Sequence, residues 1–332
     1  MKAFDYASPA SVEDAVKLLG GSAGAEALSG GTDLISRMKD YVTSPERVVY
    51  LKGIKSISGI AEWDANVGLS IGAGTTLAEI LGHAGIKQYG SALWQATSEV
   101  GTPQIRNMAT LGGNLLQRPR CWYYRTGNGL LAMKDGKSLV REGDNRYHSI
   151  FMTDGNALFV NPSSLAVPLI AFGAKATILG AKGERTIPLE DLYQVPKKEG
   201  DRELTIAPGE LLLRVLLPAG SEQGKNASYE ARQKRAHDWP LVMASVHLAE
   251  GTEIGNGRIV VYGVAPIPWR SEAAEKAIKG KKVDRESAAA AAEAAIADAK
   301  PLSMNAYKVA LTKTVVKRAL LAAVGDRYWE EG

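Results

Sequence analysis

The strongest constraint in this 332-residue sequence is a set of three glycine-containing loops in its first third. Residues 30–33 and 72–76 each stand between a strand-like run and a helix-like run, and residues 112–114 form the third loop. Glycine lets backbone N–H groups point at a ligand, and a helix N-terminus favours an anion. The loops therefore suit a pyrophosphate. Plain turns are the alternative, because none of the loops matches G-x-G-x-x-G or the Walker sequence.

The hydrophobic pattern around these loops predicts alternating strands and helices up to about residue 217. Thr76 and Glu79 have the spacing of a capping box at a helix start. The continuous apolar run 165–172 is interpreted as a buried strand. Residues 118–156, called the insertion segment below, are rich in Arg, Gly and Asn and have little periodicity, so they are expected to be irregular.

A polar stretch at residues 218–226 indicates a linker to a second unit. Beyond it, three strand-like runs precede three helix-like runs, at residues 228–234, 241–249, 258–265, 271–279, 285–299 and 304–324. Strands followed by helices are typical of a separate α+β domain. The sequence therefore predicts an α+β protein whose C-terminal domain has a three-stranded antiparallel sheet and a helix bundle.

Cysteine and hydropathy exclude several classes of protein. The single cysteine, Cys121, excludes a disulfide framework and an all-cysteine metal site within one chain. The chain has no apolar run of 18 residues, so no membrane span is expected. The N-terminus has no apolar signal core, which favours a cytoplasmic protein. Export together with a partner that carries the signal stays open.

The sequence offers no evident acid–base or nucleophilic site. It contains neither H-E-x-x-H nor G-x-S-x-G, and its four histidines, His83, His148, His237 and His247, are scattered. Cys121 has no base partner near it in the sequence. We therefore assign no catalytic residue, and any catalysis is expected to belong to a bound cofactor.

Positive charge is concentrated in one part of the chain. Residues 101–150 carry eight Lys or Arg and three Asp or Glu, whereas the whole chain has a net charge of only +4. Trp122, Tyr123 and Tyr124 lie among arginines within this part. They could form a base-stacking platform, but a loop packed on another element or subunit is favoured. No nucleic-acid partner is expected.

Two strings carry a resemblance to a known family. Residues 101–117, GTPQIRNMATLGGNLLQ, resemble the second flavin motif of the FAD-binding medium subunits of molybdenum hydroxylases, the xanthine dehydrogenase and carbon monoxide dehydrogenase family. Residues 28–34, LSGGTDL, resemble the first motif. The strings at 268–270 and 299–309 resemble the C-terminal domain of these subunits, and those at 120–125 and 145–151 resemble a loop of bacterial aldehyde oxidoreductase FAD subunits.

The resemblance implies a PCMH-type FAD-binding domain at residues 1–222, in two α/β halves of about 1–55 and 56–222, and a C-terminal α+β domain at 223–332. FAD would lie between the halves and the C-terminal domain, with its pyrophosphate on the backbone of residues 29–33. No side chain is expected to fit at Gly31. The residues assigned to FAD are Leu28, Ser29, Gly30, Gly31, Thr32, Asp33, Leu34, Thr102, Ala109, Thr110, Gly112, Gly113, Asn114, Gln117 and Ser164.

The resemblance also implies a function and partners. In this family a molybdenum cofactor-binding large subunit oxidises the substrate, and a small subunit with [2Fe–2S] clusters relays the electrons. FAD then delivers them to a final acceptor. The chain is therefore expected to be the FAD-binding electron-transfer subunit of such a complex. A free-standing FAD-dependent oxidoreductase and a structural subunit with weakened FAD binding are the alternatives.

The sequence departs from the family at three places. Relatives with the insertion carry four cysteines for a [4Fe–4S] cluster, but only Cys121 is present here, so no iron–sulfur cluster is expected in this chain. Ser164 stands where many members have an acid, and Ala231 where a lysine is common. Without a cluster, the insertion segment is expected to be held by its own aromatic residues, with its positive charge facing an acidic partner.

Overall fold

The computed structural model describes residues 1–21, 24–61, 63–64, 66–234, 238–249 and 257–330. The first half of the chain's N-terminal part is a small parallel sheet in the order β1-β3-β2 with a helix on it. Helix α1 packs Ala15, Val16 and Leu19 against the sheet. The elements are β1 (Asp5–Ala7), α1 (Val12–Gly20), β2 (Ala25–Leu28), α2 (Leu34–Lys39) and β3 (Arg47–Tyr50).

The second half combines short helices with an antiparallel sheet in the order β4-β9-β7-β8. Thr76 and Glu79 form the predicted capping box at the start of α3. The elements are β4 (Leu69–Gly72), α3 (Leu77–Gly82), α4 (Ala84–Tyr89), α5 (Ser91–Ser98), α6 (Pro103–Met108), α7 (Leu111–Leu115), α8 (Trp122–Arg125), β5 (Met133–Lys134), β6 (Lys137–Ser138), α9 (Leu139–Glu142), α10 (Ala166–Ala171), β7 (Lys175–Gly180), β8 (Gly183–Pro188) and β9 (Leu211–Leu217).

The prediction of a strand at residues 165–172 is wrong, because most of this run forms helix α10. All six residues of the helix are buried, so the apolar pattern has no polar face that would reveal a helical period. Pro168 argues against a central strand, and Ser163 accepts a hydrogen bond from the N–H of Ala166 at the helix start. These two residues were the available signals.

The C-terminal unit is an antiparallel sheet in the order β10-β11-β12-β13, covered by helices. The three predicted strands are present, and a short fourth strand, which the sequence analysis omitted, extends the sheet. Trp269 in that strand stacks on Phe151 with ring centroids 4.7 Å apart. The elements are β10 (Lys225–Arg232), β11 (Pro240–Leu248), β12 (Gly257–Tyr262), β13 (Trp269–Arg270), α11 (Glu272–Ile278), α12 (Arg285–Ala294) and α13 (Tyr307–Ala323).

The two halves meet where the predicted motifs lie. The loop after β2 approaches the segment between α6 and α7, and the hydroxyl of Ser29 lies 3.0 Å from that of Thr110. Within the described ranges, no helix is long and apolar enough to cross a membrane.

Candidate functional site

A cleft of about 380 Å³ opens between the two halves of the N-terminal part. We call it the glycine cleft, because residues 28–34 form one wall and Gly112 and Gly113 form part of another. Thr110, Gln117, Arg118, Arg202 and residues 206–212 complete most of the lining. Of the predicted residues, Thr102, Ala109, Asn114 and Ser164 lie outside this lining.

Gly30 and Gly31 shape the wall of the cleft in different ways. A Cβ on Gly30 would lie 2.0 Å from the carbonyl oxygen of Met108, so the loop after β2 could not approach the second motif with a side chain there. Gly31 has a φ of +74°, and a Cβ there would lie 3.2 Å from Ile35. The position that has no room for a side chain is therefore Gly30, and Gly31 serves mainly the left-handed backbone.

The loop after β2 has free backbone donors. Within the described part of the chain, the N–H groups of Gly30, Gly31, Thr32 and Asp33 donate no hydrogen bond to protein atoms. Backbone N–H groups are normally paired in folded proteins, so four consecutive free donors beside a cleft indicate an anionic or oxygen-rich ligand.

The prediction of a loop at residues 110–114 is wrong, because these residues form the N-cap and first turn of helix α7, and the N–H groups of residues 112–114 are occupied. The N–H of Gly112 donates to the carbonyl of Ala73 at 2.8 Å, and that of Gly113 donates to the hydroxyl of Thr110 at 3.2 Å. The N–H of Asn114 donates to the carbonyl of Thr110 at 2.9 Å. This helix turn therefore supplies surface to the cleft rather than backbone donors.

The loop at residues 72–76 has occupied donors as well. The N–H groups of Ala73, Gly74 and Thr75 donate to the carbonyls of Leu213, Ile57 and Gly72. The plain-turn interpretation is therefore correct for this loop.

Two polar side chains of the second motif connect segments that are distant in the sequence. The buried hydroxyl of Thr110 lies 3.0 Å from that of Ser29, which joins the two motifs. The Oδ1 atom of Asn114 accepts from the hydroxyl of Ser163 at 2.8 Å and from the N–H of Leu165 at 3.3 Å. Thr110 and Asn114 therefore hold together the segments that form the cleft.

Asp33 lies at the centre of a group of arginines. Its carboxylate pairs with Arg125 at 2.7 Å, Arg120 at 3.2 Å and Arg37 at 3.3 Å, and it accepts from the N–H of Arg118 at 3.1 Å. Burial by itself raises the pKa of Asp33, but Arg120 and Arg125 outweigh burial and the net shift is downward. The carboxylate is therefore ionised and joins the first motif to the insertion segment.

The remaining predicted residues have mainly local roles. Thr102 accepts from the N–H of Ile105 at the start of α6, and Gln117 donates to the carbonyl of Asn114 at 3.0 Å. The side-chain oxygen of Gln117 accepts from Arg120. The buried hydroxyl of Ser164 makes no hydrogen bond within the described ranges. Leu28, Thr32 and Leu34 line the cleft, whereas Ala109 is buried outside it.

The tertiary structure gives Cys121 a partner that its sequence neighbours do not show. Its Sγ lies 3.1 Å from Nε2 of His148. Burial raises the pKa of the Cys121 thiol, and burial together with Lys308 lowers the pKa of His148 to about 4. At neutral pH the pair is therefore a thiol beside a neutral imidazole, which does not favour a thiolate nucleophile. His83 and His247 lie far from this pair in the sequence, and His237 lies outside the described residues.

The insertion segment is held by residues of the C-terminal unit that the sequence analysis did not identify. Asn305, which is fully buried, donates to the carbonyls of His148 and Ser149 at 3.1 and 3.0 Å. The buried amine of Lys308 donates to the carbonyls of Tyr147, His148 and Gly263 at 2.7–3.0 Å. The string at 299–309 carried the family resemblance, but its spacing gave no sign of this contact.

The aromatic residues of the insertion pack within the chain. The ring of Trp122 meets those of Tyr147 and His148 edge-on, each with centroids 5.6 Å apart, and Tyr124 is buried. The expectation that the insertion segment is held by its own aromatic residues is therefore confirmed. The expectation that the positive charge faces outward is wrong for Arg118, Arg120 and Arg125, because these point to Glu203 and Asp33.

Comparison with known proteins gives consistent matches over almost the whole chain. The family described as the FAD binding domain in molybdopterin dehydrogenase matches residues 2–220, and the CO dehydrogenase flavoprotein C-terminal domain matches residues 227–323. The aldehyde oxidoreductase FAD-binding subunit PaoB of Escherichia coli (strain K12) is 29% identical over 326 residues, which cover 97% of this chain and 99% of the relative.

Carbon monoxide dehydrogenases give similar matches in sequence and in structure. The medium chain from Hydrogenophaga pseudoflava is 28% identical over 326 residues, with 96% of each chain covered. A solved structure of carbon monoxide dehydrogenase from the same organism, lacking the Mo-pyranopterin moiety of the molybdenum cofactor, has a TM-score of 0.75 and 26% identity. That match covers 98% of each chain.

Proposed function

The chain belongs to the family of FAD-binding domains in molybdopterin dehydrogenases, and from this we propose that it is the FAD-binding electron-transfer subunit of a molybdenum-dependent hydroxylase or dehydrogenase complex. The family and the α+β fold expected from the two motifs are both confirmed. We propose the domain limits expected above, with an FAD-binding domain at 1–222 in two halves and a C-terminal domain at 223–332.

The residues of the glycine cleft fit FAD. The observation that carries the proposal is the row of four free N–H groups at residues 30–33, beside a position where a Cβ would meet the carbonyl of Met108. A pyrophosphate is a dianionic group that accepts hydrogen bonds from such donors. In this proposal residues 29–33 hold the pyrophosphate, and Thr110, Gly112 and Gly113 form the facing wall.

The chain's own contribution is binding and orientation. FAD, when bound, supplies the chemistry that accepts and releases electrons. Asp33 is engaged with arginines and Thr110 with Ser29, so neither is free to act as an acid or base toward a substrate. This supports an electron-transfer subunit over a free-standing oxidoreductase, which would need its own acid–base group beside the cofactor.

We also propose that the chain works within a complex that contains a molybdenum cofactor-binding large subunit and a [2Fe–2S] small subunit. The relatives' names describe an FAD-binding subunit and a medium chain, which are parts of larger assemblies. No iron–sulfur cluster is proposed here, because Cys121 packs beside Leu131, Ala157 and Phe159 in an apolar cluster. Such surroundings supply no further thiolate ligands.

The proposal is tested by purifying the full chain with its co-expressed partners and recording its visible spectrum. The expected result is a bound flavin spectrum, one FAD per chain after extraction, and a stable complex with the large subunit. A complex that forms without flavin, and takes up none on titration with FAD, would support the structural-subunit alternative. A flavin-bound chain that never associates with a partner would support the free-standing oxidoreductase.

A further inference from the structure

The charged residues that line the glycine cleft nearly all have an oppositely charged partner within the protein. Glu26 pairs with Arg37 at 2.7 Å, Asp33 pairs with Arg125 at 2.7 Å, and Glu210 pairs with Arg185 at 2.8 Å. These three are the acidic residues of the lining, and each already has a cationic partner within the protein.

Three cationic side chains line the same cleft, and two of them are engaged. Arg37 is bound to Glu26 and Asp33, and Arg118 is bound to Glu203. Arg202 is the exception. Its guanidinium makes no hydrogen bond or ion pair in the part of the chain that the structure describes.

The surroundings of Arg202 disfavour an unpaired cation. The residue is partly buried, and burial together with the nearby charge of Arg118 lowers its pKa. A guanidinium remains charged at neutral pH even so. Glu203 and Glu26 lie near enough to Arg202 to act on its charge, but neither forms an ion pair with it in the described part of the chain. A half-buried cation that lines a cleft and has no ion-pair partner is the arrangement expected of a group that binds an anion.

We propose that Arg202, which lines the same glycine cleft as the free N–H groups of residues 30–33, binds the phosphate groups of the cofactor; this inference rests on the proposed function. Arg202 belongs to neither glycine motif and lies 88 residues beyond Asn114 in the sequence. The backbone donors supply hydrogen bonds, and Arg202 supplies the full positive charge that the engaged Arg37 and Arg118 cannot. A guanidinium can hold two phosphate oxygens at once.

The experiment compares FAD affinity in the full chain for the wild type, Arg202→Gln, Arg202→Lys and Lys198→Gln. Lys198 lies, like Arg202, between β8 and β9, but it is exposed and outside the cleft lining. Lys198→Gln therefore controls for the general loss of one positive charge. Apo-protein is titrated with FAD, and flavin fluorescence is followed at low and at moderate salt. Thermal unfolding of each apo-protein is measured in parallel.

We expect Arg202→Gln to weaken FAD binding by about 10- to 100-fold, the range for loss of a hydrogen bond to a charged group. Its affinity should also depend less on salt, because one ionic contact is lost. Arg202→Lys should recover part of the affinity, and Lys198→Gln should change it by less than about twofold. The apo-protein should unfold at an unchanged or higher temperature in Arg202→Gln, because no internal partner is lost.

Three results would overturn the inference while leaving the proposed function intact. They are FAD affinity in Arg202→Gln that equals that of the wild type, an equal loss in Lys198→Gln, and a fall in affinity matched by a lower unfolding temperature of the apo-protein. If the wild type itself binds no FAD, the proposed function fails instead. The two failures are therefore distinguishable.

Discussion

The loops at residues 29–33 and 110–114 look alike in the sequence but differ in what their backbones do. Both combine glycines with short polar residues, but the first precedes helix α2, whereas Gly112 and Gly113 of the second lie within helix α7. Among the described residues, four consecutive N–H groups of the first loop have no protein partner, whereas the N–H groups of Gly112, Gly113 and Asn114 are bound to protein oxygens. Glycine next to a helix start therefore permits an anion site but does not by itself indicate one. Whether such a segment can bind an anion depends on whether its backbone N–H groups are already hydrogen-bonded to protein atoms.

The comparison predicts that changes in the first loop reduce FAD binding and stability more than changes at residues 110–114 do. Removing the carboxylate of Asp33 should have the largest effect on the stability of the protein. Asp33→Asn would leave the partly buried Arg120 and Arg125 without their counter-ion, which is expected to lower the free energy of unfolding by about 3 kcal/mol. Urea unfolding measures this loss, and limited proteolysis should show earlier cleavage in the insertion segment.

Asp154→Asn is the matched control for this change. Asp154 pairs with Lys300 at 2.9 Å, but both side chains are largely exposed, at 81% and 64%. An exposed pair of this kind contributes at most about 1 kcal/mol. If the two variants lose equal stability, Asp33 is not the link between the first motif and the insertion segment.

Gly30→Ala should have the next largest effect. The added Cβ would lie 2.0 Å from the backbone oxygen of Met108, so the loop must move away from the second motif. We expect a loss of about 2 kcal/mol in the free energy of unfolding, together with most of the FAD affinity. Calorimetric unfolding and FAD titration measure the two effects.

Gly82→Ala serves as the control, because a Cβ at Gly82 would have no atom within 4 Å. This substitution should leave FAD affinity unchanged and stability equal or slightly higher. Full FAD affinity in Gly30→Ala would show that the close approach of the two motifs is not needed for binding.

Thr110→Ala should have the smallest effect, and it should act on stability before affinity. The hydroxyl caps the first turn of α7 and contacts Ser29, and loss of such a cap costs about 1 kcal/mol. FAD binding is expected to fall by about tenfold or less, because the free N–H groups of the first loop remain. Thr110→Ser keeps the hydroxyl, so its free energy of unfolding and its FAD affinity should equal those of the wild type, as measured by calorimetric unfolding and FAD titration. A hundredfold loss of affinity with unchanged stability would place this hydroxyl on the cofactor and erase the difference between the loops.

The insertion segment marks the limit of the sequence-based expectations. Its aromatic residues do pack together, as predicted, but the main polar contacts come from Asp33 on one side and from Asn305 and Lys308 on the other. Each of these partners is more than 80 residues away from the atoms it contacts in the insertion segment. The expectation of outward positive charge was wrong for the same reason, because the carboxylates that pair with Arg118 and Arg125 come from other parts of the chain.

Sequence alone determined two kinds of feature. One is the interaction between residues a few positions apart, and the other is the motif whose residue order is specific to the family. The capping box of Thr76 and Glu79 spans three residues, and the two motifs identified the family and its cofactor. The tertiary structure decided which glycine segment keeps free donors and why no side chain fits at Gly30. It also decided that Arg202 has no ion-pair partner among the residues that the structure describes. A hydrogen bond or an ion pair depends on which distant atom the fold brings within reach, and no local pattern records that distance.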